Sequence, residues 1–135
     1  MDTLTALSLH LELGGDWQRF DSPRKLSSWL GLTPSLTQSG ESAVQGSITK
    51  TGSSIARRLL VEAAWHYARN PAIGATLVNR QAGQPEHILR ISWRAQHRLR
   101  RTHDRFKTRG KPANVATIAV ARELVGFLWA AVTAP

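Results

Sequence analysis

A serine followed at once by a glycine, Ser39-Gly40, lies in a small, polar stretch between two segments with helical patterns. Glycine leaves room for a bulky group, and a serine hydroxyl becomes a nucleophile when a base, a metal or a positive field activates it. Lys50 comes after this stretch, and Arg57 and Arg58 open the next predicted helix. These residue types suit a serine that meets a phosphate backbone, although a Ser-Gly pair alone is more commonly a structural turn.

A second candidate site is a series of arginines in a long helix predicted from residue 85 to about 107. The arginines recur at steps of four, four, three and four, so they share one helix face: Arg90, Arg94, Arg98, Arg101 and Arg105. The alternative is a solvated face, but Asp104 is almost the only acid nearby to relieve the repulsion. We therefore predict contact with nucleic-acid phosphates, which adds salt-dependent affinity without sequence specificity.

Two tryptophans accompany these helices, Trp93 in the basic helix and Trp65 in the helix before it. Aromatic side chains beside arginines can stack on bases. A tryptophan in a helix more commonly packs in the core, and we predict that both do so.

Composition limits the class of partner and of site. Lysine and arginine number 18 against 9 aspartates and glutamates, which gives a net charge of +9 and favours a polyanionic partner. The absence of cysteine excludes disulfides, thiolate metal sites and a cysteine nucleophile, and it agrees with a cytoplasmic location. No histidine or acid spacing suggests a metal site in this chain. No apolar run is expected to reach the ~20 residues of a membrane span.

Helix signals organise the chain as a single mainly α, compact domain over residues 1–135. Asp2 is a predicted cap for a first helix with Leu4, Leu7 and Leu11 on one stripe, and Ser22-Pro23 starts a second. A short irregular or β-hairpin loop, around Ser47-Ile48-Thr49, should separate the second and third helices. The last helix, from about residue 113 to 131, is apolar nearly all round and should be the central core element.

Motifs along nearly the whole chain carry a family resemblance. They are Gly31-Leu-Thr-Pro-Ser35, Ser39-Gly40-Glu41, Gly46-Ser-Ile-Thr-Lys50-Thr-Gly52, Arg57-Arg58-Leu-Leu-Val-Glu-Ala-Ala-Trp65 and Ala121-Arg-Glu-Leu124. Together they resemble the C-terminal domain of the IS110/IS116 type of insertion-sequence transposase. One departure is Ser53, where the family commonly has asparagine after Lys-x-Gly; a small capping residue is kept.

The resemblance implies a DNA recombinase that cuts and rejoins DNA through a serine-linked intermediate, guided by a structured non-coding RNA and acting as an oligomer. It implies Ser39 as the nucleophile, with Ser35 as the fallback, and Lys50, Arg57 and Arg58 as phosphate contacts. The acidic, Mg-binding RuvC-like domain of such proteins has no counterpart in this sequence. The chain is therefore expected to hold no cofactor and to be inactive alone.

Two further interpretations remain open. The chain could be a non-catalytic module that keeps DNA or RNA affinity and oligomer contacts, or a basic RNA-binding protein of another kind. A Ser39 loop that lines a basic cleft would count against the last of these.

Overall fold

The computed structural model describes residues 1–39 and 42–134, and their side chains except those of residues 36–45. These residues form a helical domain with one antiparallel pair of strands. The helices are α1 (Thr3–Glu12), α2 (Pro23–Trp29), α3 (Ser54–Trp65), α4 (Ala75–Gln81), α5 (Glu86–Thr108) and α6 (Ala113–Thr133); the strands are β1 (Pro34–Ser39) and β2 (Ser42–Ile48). The predicted fold class, mainly α with a hairpin between the second and third helices, is confirmed.

Local hydrogen bonds start three of the helices where the sequence predicts. The Asp2 carboxylate accepts from the backbone N–H of Thr5 at 2.7 Å and caps α1. The hydroxyl of Ser22 caps α2, and the hydroxyl of Ser53 accepts from the N–H of Ala56 at 3.0 Å to cap α3. Each cap satisfies a backbone donor that has no partner within its own helix.

The leucine stripe of α1 does not face the core. Leu4, Leu7 and Leu11 are 73%, 53% and 68% exposed, whereas Leu9 and Leu13 are each 1% exposed in the core that α1 shares with α3. Because α1 carries leucines on two sides, its periodicity could not say which side packs.

The hairpin is longer than predicted. Ile48 pairs with Pro34 at one end and Ser42 pairs with Ser39 at the other, so the hairpin predicted around Ser47-Ile48-Thr49 begins earlier, and β2 ends at Ile48. The register shifts between Pro34 and Leu36. Residues 40 and 41, between the paired ends, lie outside the described residues.

α3 ends at Trp65 and continues as a 3-10 turn through Ala68. Leu60, Ala63 and Ala64 face the core. Ile55, in the first turn of the same helix, is 50% exposed.

The last helix is the central core element, as predicted. α6 packs against α5, α3 and α2, and it buries Val120, Leu124 and Val125 among them. α6 is also long and apolar enough to cross a membrane by length and composition, so the expectation that no segment reaches that length is wrong. A core helix can have the same length and apolar composition as a membrane span. The packing of α6 on three other helices is that of a core helix.

Candidate nucleic-acid interface

One side of α5 presents a row of exposed arginines. We define the α5 basic face as Arg90, Arg94, Arg98, Arg101 and Arg105, all of which are exposed. The adjoining side of the helix carries Ala95, Leu99 and Thr102, which are buried. The helical period that places these three residues in the core therefore turns the arginines to the surface.

Two members of the basic face have acidic partners. Arg90 lies 3.5 Å from Glu86 one turn before it, and both side chains are well exposed. Arg98 pairs with Glu123, which comes from α6. Among the described residues, Arg94, Arg101 and Arg105 form no ion pair, so their charges are available to a ligand.

The Arg98 pair is part of a small network between α5 and α6. The guanidinium donates to both carboxylate oxygens of Glu123, at 3.2 and 3.4 Å, and the buried hydroxyl of Thr102 donates to the same carboxylate at 2.8 Å. The hydrogen bond and the charge of Glu123 raise the pKa of Arg98. Sequence reasoning missed this partner, because Glu123 is 25 residues away along the chain.

Arg100, on the same helix, serves the structure. Its guanidinium donates to the carbonyl of Ala68, and this hydrogen bond joins α5 to the 3-10 turn. It also pairs with Asp104 of the same helix at 2.9 Å. Burial raises the pKa of Asp104, but hydrogen bonds from His103 and Arg100 outweigh it, so the pKa lies below its ordinary value. Asp104, the acid that the sequence placed near the basic face, is thus engaged by its own neighbours.

Both tryptophans predicted to be core residues are at the surface. Trp65 is 49% exposed and Trp93 is 40% exposed. The ring of Trp93 meets His97 edge to face, with 4.4 Å between ring centroids. The prediction failed because it rested on the general habit of tryptophan, whereas the register of α5 turns position 93 away from the side that carries Leu99.

A groove of about 720 Å³ runs beside the basic face. α5 contributes Trp93, His97 and three of the arginines to its lining, and α6 contributes Glu123 and Phe127. The groove therefore combines an exposed aromatic ring, cationic side chains and an apolar wall.

The other candidate site, the hairpin that carries Ser39, is clamped at its base against the end of α2. The N–H of Lys50 donates to the carbonyl of Gly31 at 3.0 Å, and Lys50 itself has a positive φ of 57°. A Cβ on Gly31 would lie 2.3 Å from the backbone nitrogen of Thr51, and one on Gly52 would lie 2.3 Å from the carbonyl oxygen of Trp29. Both glycines have a positive φ, so these motif positions have a structural explanation.

Arg57 reinforces the same clamp. Its Nη1 donates to the carbonyls of Leu30, at 3.1 Å, and of Thr51. Arg58, the next residue, is exposed and lies 3.9 Å from Glu62. The two predicted phosphate contacts thus differ: Arg57 is half-buried and holds the backbone, and Arg58 faces outward.

The two candidate serines lie on the same strand. The hydroxyl of Ser35 donates to the carbonyl of Ser47 at 2.9 Å, within the hairpin. Ser39 is the last residue of β1, five residues beyond Pro34, which is about 17 Å in an extended strand. Its backbone therefore lies at the end of the hairpin opposite to the clamp. Its side chain lies outside the described residues, so the role of Ser39 as the nucleophile stays a prediction.

Within residues 1–39 and 42–134, no group of three histidine, aspartate or glutamate side chains is placed to hold a metal ion. The described residues therefore offer no such group for the divalent metal, which the resemblance places in the RuvC-like domain.

Comparison with known proteins identifies the family. Residues 1–74, from α1 through α3, match the model of the transposase IS116/IS110/IS902 family. The chain is also 42% identical over 130 residues to "Putative transposase y4qE" of Sinorhizobium fredii (strain NBRC 101917 / NGR234), covering 96% of this chain and 33% of that relative. It thus spans about a third of the length of that relative, and no solved structure matches it. The family match covers more than half of the sequence, so the chain belongs to the IS116/IS110/IS902 family of transposases.

Proposed function

We propose that this chain is the nucleic-acid-binding, serine-bearing part of a DNA transposase, with the α5 basic face as its contact with phosphates. The observation that carries the proposal is the exposure of Arg94, Arg101 and Arg105 without an acidic partner among the described residues. Lys50 and Arg58, also exposed, are proposed as additional phosphate contacts near the hairpin.

The charge balance supports a polyanion over other ligands. The net charge of +9 on 135 residues attracts DNA at long range, and release of its counterions makes the binding sensitive to salt. Phosphate contacts orient a protein on DNA and do not read its sequence. We therefore assign choice of target site to another part of the assembled transposase, with a guide RNA and further protein copies as proposed partners.

Ser39 is the proposed nucleophile. In the strand-cleavage step its Oγ forms a bond to a DNA phosphorus while the bond from that phosphorus to a deoxyribose oxygen breaks. The serine proton passes to solvent, and the leaving oxygen takes up a proton. Ser35 is the weaker candidate, because its hydroxyl already donates to the Ser47 carbonyl. The position of Ser39 at the far end of the hairpin supports a reaction centre completed by other protein segments, with divalent metal held there.

Binding is tested with fluorescence anisotropy on labelled duplex DNA at several salt concentrations. The variant Arg94→Ala/Arg101→Ala should lower affinity and reduce the slope of log K against log salt by about 1.8, which is about 0.9 per lost phosphate contact. The matched control Arg69→Ala/Arg80→Ala removes the same charge from two exposed arginines outside α5. Equal losses in both variants, or an unchanged slope in the first, would mean that the basic face is not the contact.

Chemistry is tested in an intact relative that carries this sequence in place of its own corresponding segment. Labelled DNA should become covalently attached to the protein, and Ser39→Ala should abolish the adduct while Ser35→Ala keeps it. An adduct that persists in Ser39→Ala would place the nucleophile elsewhere. The chain alone should bind DNA without cutting it.

A non-catalytic binding module is the second candidate function. It is favoured by the position of the Ser39 backbone at the end of the hairpin opposite to Lys50. If the grafted segment supports DNA binding and assembly while no serine variant changes the adduct yield, this second function is the correct one.

A further inference from the structure

The groove beside the α5 basic face has a composition that phosphate binding alone does not require. Trp93 is exposed at its rim, and Phe127 and Ile91 give it apolar walls. Apolar side chains offer a phosphate oxygen neither a hydrogen-bond donor nor a positive charge. It does suit the flat face of a base, which stacks on aromatic rings.

We propose that this groove holds an unpaired base of single-stranded DNA, with Trp93 as the stacking surface and Arg94 and Arg101 on the flanking phosphates. The inference rests on the proposed function, since it names the form of DNA that the basic face takes. A base within a duplex already stacks on its neighbours, so only an unpaired one can gain from the tryptophan.

The geometry of the rim supports a preformed stacking surface. His97 meets the indole of Trp93 edge to face, with an interplanar angle of 79°, which helps to fix the ring. The remaining 40% exposure shows that the contact with His97 leaves part of the indole open to a ligand.

Charge and size agree with a nucleotide. The one acid in the lining, Glu123, is engaged by Arg98 and Thr102, so Arg94 and Arg101 lack an acid that would compete with a phosphate among the described residues. The groove volume of about 720 Å³ lies within the range of ordinary small-ligand sites.

The test compares labelled thymidine oligonucleotides, about 16 nucleotides long, with abasic versions of the same length and with duplex DNA. Trp93→Ala should weaken binding of the thymidine strand by about 5- to 150-fold, the usual loss for removing a stacking aromatic. It should leave binding of the abasic strand and the duplex nearly unchanged. Trp93→Phe should keep most of the affinity, because it keeps an aromatic face.

Trp65→Ala is the matched control, since Trp65 is also exposed but does not line the groove. It should bind every probe as the unaltered protein does. Circular dichroism and the melting temperature establish that both variants fold. The unaltered protein provides a check without any variant: it should bind the thymidine strand more tightly than the abasic strand.

Several results would overturn the inference. Equal binding of thymidine and abasic strands by the unaltered protein would mean that no base is held. An equal loss for duplex and single strand in Trp93→Ala would make the residue a support for the helix. A Trp93-dependent preference for uridine RNA over thymidine DNA would assign the groove to RNA. If Arg94→Ala/Arg101→Ala still weakens every probe in these cases, the basic face remains the phosphate contact and only the base site is lost.

Discussion

Arg98 on α5 and Glu123 on α6 form a two-point ion pair across the two longest helices, with nitrogen–oxygen distances of 3.2 and 3.4 Å. Thr102, which is 2% exposed, donates its hydroxyl to the same carboxylate. The pair thus joins α5 to α6 and partly neutralises one arginine of the basic face. It links the core of the protein to its proposed DNA contact.

Removing Glu123 should lower the stability of the protein but strengthen the salt dependence of its DNA binding. Glu123→Ala leaves the buried Thr102 hydroxyl without its acceptor, so the free energy of unfolding in urea should fall by about 1–3 kcal/mol. The same variant frees Arg98, so the salt slope of DNA binding should steepen by up to about 0.9. Glu62→Ala is the control, because Glu62 is 66% exposed and its 3.9 Å pair with Arg58 should matter little. Equal destabilisation by the two variants would contradict the network.

The contact between Gly31 and Thr51 should make alanine costly at position 31. Gly83→Ala introduces a side chain at a similar positive φ but with open space around it, and should cost about 1–2 kcal/mol. Gly31→Ala adds a backbone clash to that strain, so its loss of unfolding free energy should exceed that of Gly83→Ala by several kcal/mol. Similar losses in the two variants would show that the hairpin clamp adjusts easily.

The two sides of α1 should respond differently to truncation. Leu9→Ala should reduce the free energy of unfolding by about 2–5 kcal/mol, because its side chain is fully buried. Leu7→Ala, at 53% exposure on the outward stripe, should change it by less than about 0.5 kcal/mol. Urea unfolding of both variants measures the difference, and a larger loss at Leu7 would reverse the assignment of the core face.

Acid should weaken the start of α1. The backbone hydrogen bond from Thr5 lowers the pKa of Asp2 below its ordinary value of 3.8. Its stabilising effect is therefore present above about pH 3.8 and is lost as the pH falls through the lower folded value. Asp2→Asn keeps a capping oxygen without titrating, so its stability at neutral pH should be similar and its loss in acid smaller. Thermal melts from pH 7 to pH 2 measure this, and identical acid profiles would exclude the role.

Several features could be predicted from the sequence alone because their causes are local. Asp2, Ser22 and Ser53 each cap a backbone donor three residues ahead, so a short stretch of sequence contains both partners. The row from Arg90 to Arg105 depends only on the helical period. The motifs that identified the family are likewise read in order along the chain.

Other features depended on which segments meet in space. The sequence could not show that α1 would bury Leu9 in place of Leu7, or that the register of α5 would leave Trp93 at the surface. Nor could it show that Glu123 would reach Arg98, since the two are 25 residues apart. Helical periodicity fixes which residues share a face, but only packing between helices decides which face loses its water, because that free energy comes from surfaces distant in sequence.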